Sequence, residues 1–460
     1  MRAYTHTVAA LLTALALALT GCSGVRNLER SRLDIPAAYQ SGIQPDSMSV
    51  ADMQWYEFYQ DSTLRTIIRK TLANNRDLLS AAAKVEEMRA MWGQTNAAQL
   101  PELGILAGGN HERTDYSGGG WSGSPELSLK ATLNWEVNLW GAMKWARSGG
   151  RASYEASVED RRAMQITLIA GAATAYFHYT ALNNELSIVR ETLRTRSEAL
   201  EQARIRFEGG LTPETVYQQA KVEYSSTASL IPNLEQQIAL ARNALTLLMG
   251  EFPVDTLRPG IQFYASVLPD SISAGFPSTL LERRPDIRAA RLRLAAAMAD
   301  VGLTYAERFP SFRISFTGGL ENKTLTDFLK SPYTYLISNI TAPIFDFGRR
   351  KKRYQAAIAR YDQARYAYEK TIITAFTEVN SALIAYDKYR RNYTLKASLR
   401  DAARKYVDLA RLQYKAGSLN YLDVLDAQRR YFDAQIGVSS AMLDRYLTMI
   451  NLYKVLGGGW

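Results

Sequence analysis

The chain has 460 residues and a formal net charge of +10. Basic and acidic residues alternate along predicted helical segments such as 191–196 and 400–405, which indicates a solvated helical surface and gives no support for nucleic-acid binding. Cys22 is the only cysteine, so disulfide bonds within the chain and thiolate metal clusters are excluded.

Residues 1–21 are predicted to form a secretory signal peptide. Arg2 precedes an apolar run from Val8 to Leu19, which is shorter than the roughly 20 residues of a membrane-spanning helix. Leu19-Thr20-Gly21-Cys22 follows with the form of a lipobox, so cleavage would leave Cys22 as the N-terminus, carrying an N-acyl diacylglycerol. Ser23 is not the aspartate that signals inner-membrane retention, which predicts outer-membrane sorting. No other cofactor and no metal site is predicted.

The remainder of the chain is duplicated at a constant offset of 207 residues. The pairs that share this offset are Gly141 and Gly348, Tyr154 and Tyr361, Tyr179 and Tyr386, Gly210 and Gly417, and Gly250 and Gly457. A constant offset across two helices and their turn indicates duplication of a whole unit. We therefore predict a lipidated N-terminal segment (22–60), a first repeat (61–250), a connector (251–278) and a second repeat (279–460).

Each repeat is predicted to begin with a helix and a β-hairpin. Apolar residues at three- and four-residue steps predict one helix, or two on one axis, from Asp61 to Ala98, ended by Pro101. Alternating apolar residues then predict strands of about 10 to 13 residues, long enough to cross a bilayer at the usual tilt. The first hairpin has a predicted loop at 117–120, and the second hairpin returns from Tyr333 to Phe345.

A long proline-free helix is predicted after each hairpin. Each runs for about 67 residues, or roughly 100 Å at 1.5 Å per residue, and carries two apolar stripes, as in a wall of side-by-side helices. The helices end at turns in which Gly210 and Gly417 are expected to be left-handed. Return helices then run to Gly250 and Gly457, and Pro232 is predicted to kink the first of them.

Four amphipathic strands cannot close around a lumen, and open strand edges are not tolerated in hydrocarbon. The pattern therefore predicts an α/β membrane protein whose copies pool their strands, four per chain and twelve per trimer. The outer-membrane β-barrel would continue into a long α-helical tunnel in the periplasm. Such an assembly is a conduit.

Several motifs resemble the TolC family of outer-membrane efflux lipoproteins, in the branch that includes OprM and the NodT-type proteins. They are the lipobox at Cys22, residues 135–141 and their duplicate 342–349, Arg283-Arg284-Pro285-Asp286-Ile287, and Tyr414-Lys415-Ala416-Gly417 before residues 423–428. The resemblance implies a homotrimer anchored in outer-membrane lipid and extending into the periplasm. It also implies that the trimer completes a pump passively, with a periplasmic adaptor and an inner-membrane transporter of the RND, MFS or ABC class.

The same resemblance implies a periplasmic gate and adaptor-contacting tips. Asp423 and Asp426 lie three residues apart on one helical face, so a trimer would bring six carboxylates to the opening. Tyr414 matches a tyrosine that locks the closed mouth in this family, whereas Leu419 stands where an arginine is expected. The residues expected to contact the adaptor are Gly210, Leu211, Thr212, Gly417, Ser418 and Leu419.

A run of five cations at 349–353 opens the second long helix, where the helix dipole disfavours positive charge. Its place beneath the strands predicts lipid phosphates at the periplasmic membrane surface as partners.

A protein-secretion conduit, a periplasmic scaffold and an enzyme are the alternatives to an efflux channel. A conduit for type I protein secretion would have the same architecture, and a lipid-anchored periplasmic coiled-coil scaffold would explain the helices but not the paired hairpins. His111 and His178 lack the surrounding ligand spacing of a catalytic site, so the chain is predicted not to be an enzyme. Passive conduits take their selectivity mostly from the pump upstream, so drugs, metals, lipids and peptides all remain possible substrates.

Overall fold

A computed structural model describes residues 28, 33–36, 39, 49–115, 120–253, 255, 257–260, 263–264, 279–324, 326–342 and 344–459. The predicted signal peptide, the predicted lipidation site Cys22, residues 117–119 of the first hairpin loop and much of the connector lie outside the described residues. Among the described helices, none has a stretch long and apolar enough to cross a membrane.

Both halves of the chain have helices, a β-hairpin, a long helix and a return helix in that order, and the first half has one further short helix at its start. In the first half the elements are α1 (Trp55–Phe58), α2 (Ser62–Asn74), α3 (Arg76–Ala97), β1 (Glu102–Thr114), β2 (Ser122–Val137), α4 (Ala142–Glu208) and α5 (Glu214–Leu248). In the second half they are α6 (Leu280–Arg283), α7 (Pro285–Ala306), β3 (Ser311–Asn322), β4 (Pro332–Thr341), α8 (Arg349–Lys415) and α9 (Tyr421–Val455). Short 3-10 helices lie at Val50–Asp52 and Phe328–Lys330.

The predicted helical segment from Asp61 to Ala98 is two helices that divide at Asn75. The Asp61 carboxylate begins α2 by accepting a hydrogen bond of 2.7 Å from the Thr63 amide. The Asn75 side chain ends that helix and begins α3, because its oxygen accepts from the Asp77 and Leu78 amides at 3.0 and 3.2 Å. A side chain at a helix N-terminus that satisfies unpaired amides fixes where the helix starts.

The four strands form one antiparallel sheet in the order β1-β2-β3-β4, which confirms four strands per chain. Leu103 faces Leu133, Leu133 faces Phe316, and Phe316 faces Leu336 across the three strand pairs. The β2–β3 pair therefore joins the hairpin of one repeat to that of the other. Within the described part of the chain, β1 and β4 each pair along one edge only.

Two predicted strand bounds were wrong. β2 has 16 residues, more than the predicted 10 to 13. Its partners are staggered, since β1 pairs with Ser122 to Asn134 and β3 with Leu127 to Val137. β4 ends at Thr341, short of Phe345, and Pro343 follows in the sequence as a residue with no N–H to donate to a ladder.

The long and return helices match between the repeats. α4 and α8 each have 67 residues, and α5 and α9 each have 35. Gly210 and Gly417 have φ of 70° and 74°, which confirms the predicted left-handed residues after the long helices. Pro232 lies inside α5, and the helix continues through it.

The chain forms two compact units, and each contains parts of both repeats. One unit includes Ala83–Val158 and Ala289–Lys370; the other includes Asp34–Ala82, Glu159–Arg288 and Thr371–Trp460. The second unit holds a large aromatic and aliphatic core. Phe58 is fully buried there and stacks on Tyr453 of α9, with ring centroids 4.2 Å apart, so the segment before α2 packs against the last helix.

Arg284 gives the Arg283-to-Ile287 motif a structural role in the second unit. Its guanidinium donates to the carbonyl of Val455 at 3.0 Å, at the C-terminal end of α9. It also pairs with Asp286 at 2.6 Å and Glu378 at 2.8 Å. A cation at a helix C-terminus is favoured by the helix dipole, so this residue ties the end of α9 to the start of α7.

Candidate functional site

The tips of the helix pairs are built by two equivalent turns. At the end of α4, the amide of Gly210 donates to the carbonyl of Phe207 at 2.9 Å, and Leu211 donates to Arg206 at 2.8 Å. At the end of α8, Gly417 and Ser418 make the corresponding bonds to Tyr414 and Gln413, both at 3.0 Å. These bonds satisfy the last carbonyls of each helix, so both tips have a fixed backbone geometry.

The six residues expected at the adaptor surface do not share one environment. Gly210, Leu211, Gly417 and Ser418 are exposed, Leu211 to 77%. Thr212 and Leu419 are half-buried. Leu419 packs against a buried cluster of Val407, Ala410, Val424 and Ala427. The leucine at the expected arginine position therefore belongs to the packing between α8 and α9.

Tyr414 contacts an arginine from the other repeat. The Arg206 guanidinium, in the last turn of α4, donates to the Tyr414 hydroxyl and lies 5.6 Å from the centre of its ring. Tyr421 also contacts Tyr414, with their ring centroids 5.3 Å apart. Sequence reasoning missed Arg206. Phe207 is the counterpart of Tyr414 in the duplication, and Arg206 directly precedes it. Its place at the equivalent tip was the sequence signal for a contact with Tyr414.

Asp426 is neutralised by two arginines on its own helix. Its carboxylate pairs with Arg429 at 2.7 Å and with Arg430 at 2.6 Å, three and four residues further along the helix. The hydrogen bond from Arg430, followed by that from Arg429, lowers the pKa of Asp426. The carboxylate thus stays ionised, and the pairs stay formed, below the pH at which an unperturbed aspartate is half protonated.

Asp423 lies in the first turn of α9 and is half-buried. Its amide donates to the carbonyl of Asn420 at 3.2 Å. Among the residues that the structure describes, no cationic side chain pairs with its carboxylate. The amino end of a helix stabilises a carboxylate without neutralising it. The two aspartates therefore share a helical face but differ in how much charge they present.

The sequence matches the family described as outer membrane efflux proteins over residues 67–251 and again over residues 276–458. The chain is 34% identical to outer membrane protein OprJ of Pseudomonas aeruginosa over 472 residues, covering 100% of this chain and 97% of that one. It is 31% identical to the probable outer membrane lipoprotein SilC of Salmonella typhimurium, covering 96% of each. The chain belongs to the outer membrane efflux protein family.

The fold agrees with a solved member of this class. The open-state crystal structure of the MtrE outer membrane channel of Neisseria gonorrhoeae has a TM-score of 0.83 and 29% identity, covering 94% of this chain and 97% of that chain. This outer membrane efflux protein is therefore a channel component located in the outer membrane, as the sequence predicted.

A buried arginine braces three helices of this efflux protein. The side chain of Arg196 in α4 is 8% exposed and pairs with Glu223 of α5 at 2.9 Å. Its guanidinium lies 5.5 Å from the ring centre of Phe432 on α9. Sequence reasoning missed Arg196, although its counterpart 207 residues later is the small apolar Ala403, an asymmetry visible in the sequence.

The cationic run of the efflux protein is partly compensated within the chain. Asp346 accepts from the amides of Gly348 and Arg350 at 3.0 and 3.2 Å, which places a carboxylate at the start of α8. Arg353 pairs with Glu307 at 2.9 Å, and Arg350 donates to the carbonyl of Glu307. Contact of the run with lipid phosphates remains a prediction.

Proposed function

We propose that the chain forms a homotrimer whose twelve pooled strands make one barrel, and that this trimer is a passive exit duct of a tripartite efflux pump. The open sheet carries the proposal. β1 and β4 each present an edge that the described chain does not pair. Since unpaired backbone groups cost several kcal/mol each in hydrocarbon, an outer-membrane protein with two such edges needs copies of itself to cover them.

A periplasmic adaptor and an inner-membrane transporter complete the proposed pump. The exposed tip residues Gly210, Leu211, Gly417 and Ser418 supply the surface for the adaptor. Their backbone conformations are fixed by the two equivalent turns, so a trimer presents six similar tips. Transporters of the RND, MFS and ABC classes are all compatible with this arrangement.

A lipid anchor on Cys22 and a gate at the tips are parts of the same proposal. The lipobox supports the anchor, and the relative SilC is named a lipoprotein. In the gate, Asp423 supplies the uncompensated carboxylates, while the contact between Arg206 and Tyr414 links the two helix pairs of one chain at the mouth. Breaking that contact removes one of the links that hold one helix pair to the other.

The oligomeric state tests the proposal. The full chain is extracted from outer membranes in mild detergent, and its mass is measured before and after heating in SDS. The proposal predicts a complex of three chains of about 51 kDa each, less the signal peptide, that heating converts to monomer. A soluble monomer recovered without detergent would support the periplasmic scaffold instead.

A further inference from the structure

A cavity of about 510 Å³ lies where the sheet ends and the long helices begin. It is lined by the first turns of α4 and α8, the end of α7 and the ends of three strands, all within one of the two compact units. Its volume is in the range of about 300 to 1,000 Å³ that small-molecule sites span. The cavity is therefore large enough for a small organic solute.

The two helix starts that meet at this cavity are duplicates of opposite character. At the offset of 207 residues, Ala142 and Met143 of α4 correspond to Arg349 and Arg350 of α8. All four residues line the cavity, and Arg353 adds a third guanidinium from the next turn of α8. The duplication has thus given the cavity one apolar wall and one cationic wall.

The apolar wall continues into an aromatic pair. Trp140 stacks on Phe309, with ring centroids 5.1 Å apart, and both residues line the cavity. The indole N–H of Trp140 donates to the carbonyl of Pro310. An indole has a single donor, so this side chain has none left for a ligand and contributes apolar surface to the cavity.

The cationic wall contains one guanidinium whose donors are not used by the chain. Arg353 pairs with Glu307 at 2.9 Å, and Arg350 lies 3.7 Å from Asp346. Asp346 also accepts from the first amides of α8, so the helix start itself is occupied. Arg349 is exposed, and in the part of the chain that the structure describes no carboxylate pairs with it. Its guanidinium is therefore the group that is left to bind an anion.

The cavity lies on the polar face of the sheet. The strand-end residues that line it include Glu136 and the opposed pair Ser311 and Thr341. Glu136 pairs with Arg313 at 3.1 Å on this face, whereas Phe316 lies on the other face. An outer-membrane barrel is apolar towards lipid and polar towards its lumen, so the cavity lies on the lumen side.

We propose that this cavity is a binding site on the wall of the duct for organic anions, in which a phosphate or carboxylate group adjoins an apolar or aromatic group. The Arg349 guanidinium donates to the anionic group, because its planar fork matches phosphate and carboxylate oxygens. The apolar group lies against Met143 and the aromatic pair. The inference rests on the proposed duct and names a class of solute that the duct holds on its way out.

Binding of phenyl phosphate to the full-length protein in mild detergent tests the site. Calorimetric titration of the native protein should show binding. Arg349→Gln should weaken the affinity about tenfold, because charge-assisted hydrogen bonds to the anion are lost. Arg349→Lys keeps the charge without the planar fork and should weaken the affinity less than Arg349→Gln does.

Lys351→Gln is the matched control. It removes the same charge from the same turn of α8, but Lys351 is two residues from Arg349 and does not line the cavity. Its effect on the affinity for phenyl phosphate should be less than about twofold, since salt screens exposed charges. Equal weakening by Arg349→Gln and Lys351→Gln would show attraction to the net charge of the run and would contradict the site.

Inorganic phosphate tests the apolar wall. It should bind about tenfold more weakly than phenyl phosphate, because it has no apolar surface to bury. Equal affinities would contradict the part of the proposal that assigns a role to α4 and the aromatic pair.

Conductance in planar bilayers separates this inference from the proposed function. A native protein that conducts but does not bind phenyl phosphate contradicts the anion site and leaves the duct intact. A protein that binds phenyl phosphate and gives no conductance contradicts the duct on which the inference rests.

Discussion

At the scale of residues, the charge of the proposed gate depends on partners that lie outside the predicted motif. Asp423 and Asp426 are equivalent by spacing, yet Arg429 and Arg430 compensate only Asp426. In a proposed trimer the Asp423 carboxylates repel one another if they approach closely. At an effective dielectric of 20 and a separation near 6 Å, the repulsion is about 3 kcal/mol, which favours bound cations.

Single substitutions of the two aspartates should therefore differ. Asp423→Asn should weaken block of the channel by multivalent cations about tenfold or more, because it removes the uncompensated charge. Asp426→Asn should change block much less, since its charge is already paired. The measurement is cation titration of single-channel current in planar bilayers. Equal effects of the two variants, or a larger effect of Asp426→Asn, would show that the arginine pairs do not determine the charge at the mouth.

The contact between Tyr414 and Arg206 should restrain opening. Tyr414→Phe removes the hydroxyl that accepts from Arg206, and an exposed contact of this kind contributes up to about 1 kcal/mol. We expect the open probability of single channels to rise up to about fivefold. Tyr421→Phe is the matched control, because the Tyr421 hydroxyl has no hydrogen-bond partner among the described residues. Similar gating in both variants would contradict the restraint.

At the scale of elements, the ends of helices are determined by a few side-chain and glycine contacts. Arg284 is the clearest case, since one guanidinium holds the carbonyl of Val455 and the carboxylates of Asp286 and Glu378. The hydrogen bond to the Val455 carbonyl is buried, whereas the side chains of Asp286 and Glu378 are 40% and 43% exposed and can turn to water when the guanidinium is removed. The geometry of the C-terminal end of α9 depends on this contact.

Arg284→Met should lower the stability of the folded chain by about 2 kcal/mol, because it leaves a buried carbonyl unpaired. Arg283→Met is the control, since Arg283 pairs with a half-exposed Asp52 and should cost under about 1 kcal/mol. The midpoint of unfolding by guanidinium chloride, followed by circular dichroism in detergent, measures both. A control variant as unstable as Arg284→Met would argue against a special role for Arg284.

Local signals in the sequence were sufficient for the helix ends and for the existence of the strands. Glycines at a repeated spacing identify the tips, and the structure gives both of them a positive φ. The alternation of apolar residues identifies the hairpins. The side-chain partners within the site were harder to predict, because residue spacing alone does not say which pairs form. Arg206 and Arg196 acquire their roles from packing between helices. Arg429 and Arg430 reach Asp426 through the rotamers that they adopt on the same helix. The length of β2 depends likewise on the stagger of its two partner strands.

At the scale of the whole molecule, duplication supplies most of the architecture and asymmetry supplies the candidate gate. The two repeats provide matching hairpins, long helices and tips. They differ at individual positions, among which Asp423 corresponds to Val216 and Arg196 to Ala403. A trimer of such chains has six similar tips but three copies of each gating residue.

Single-channel recording of the purified full-length protein in planar bilayers tests the central claim most directly. A water-filled duct predicts ohmic conductance steps that are reduced by multivalent cations added on the side of the tips and restored when Asp423 is replaced by asparagine. A protein that inserts as a stable trimer yet gives no conductance in either the native form or the Asp423→Asn variant would contradict the claim that this chain forms an outer-membrane efflux channel gated at its tips.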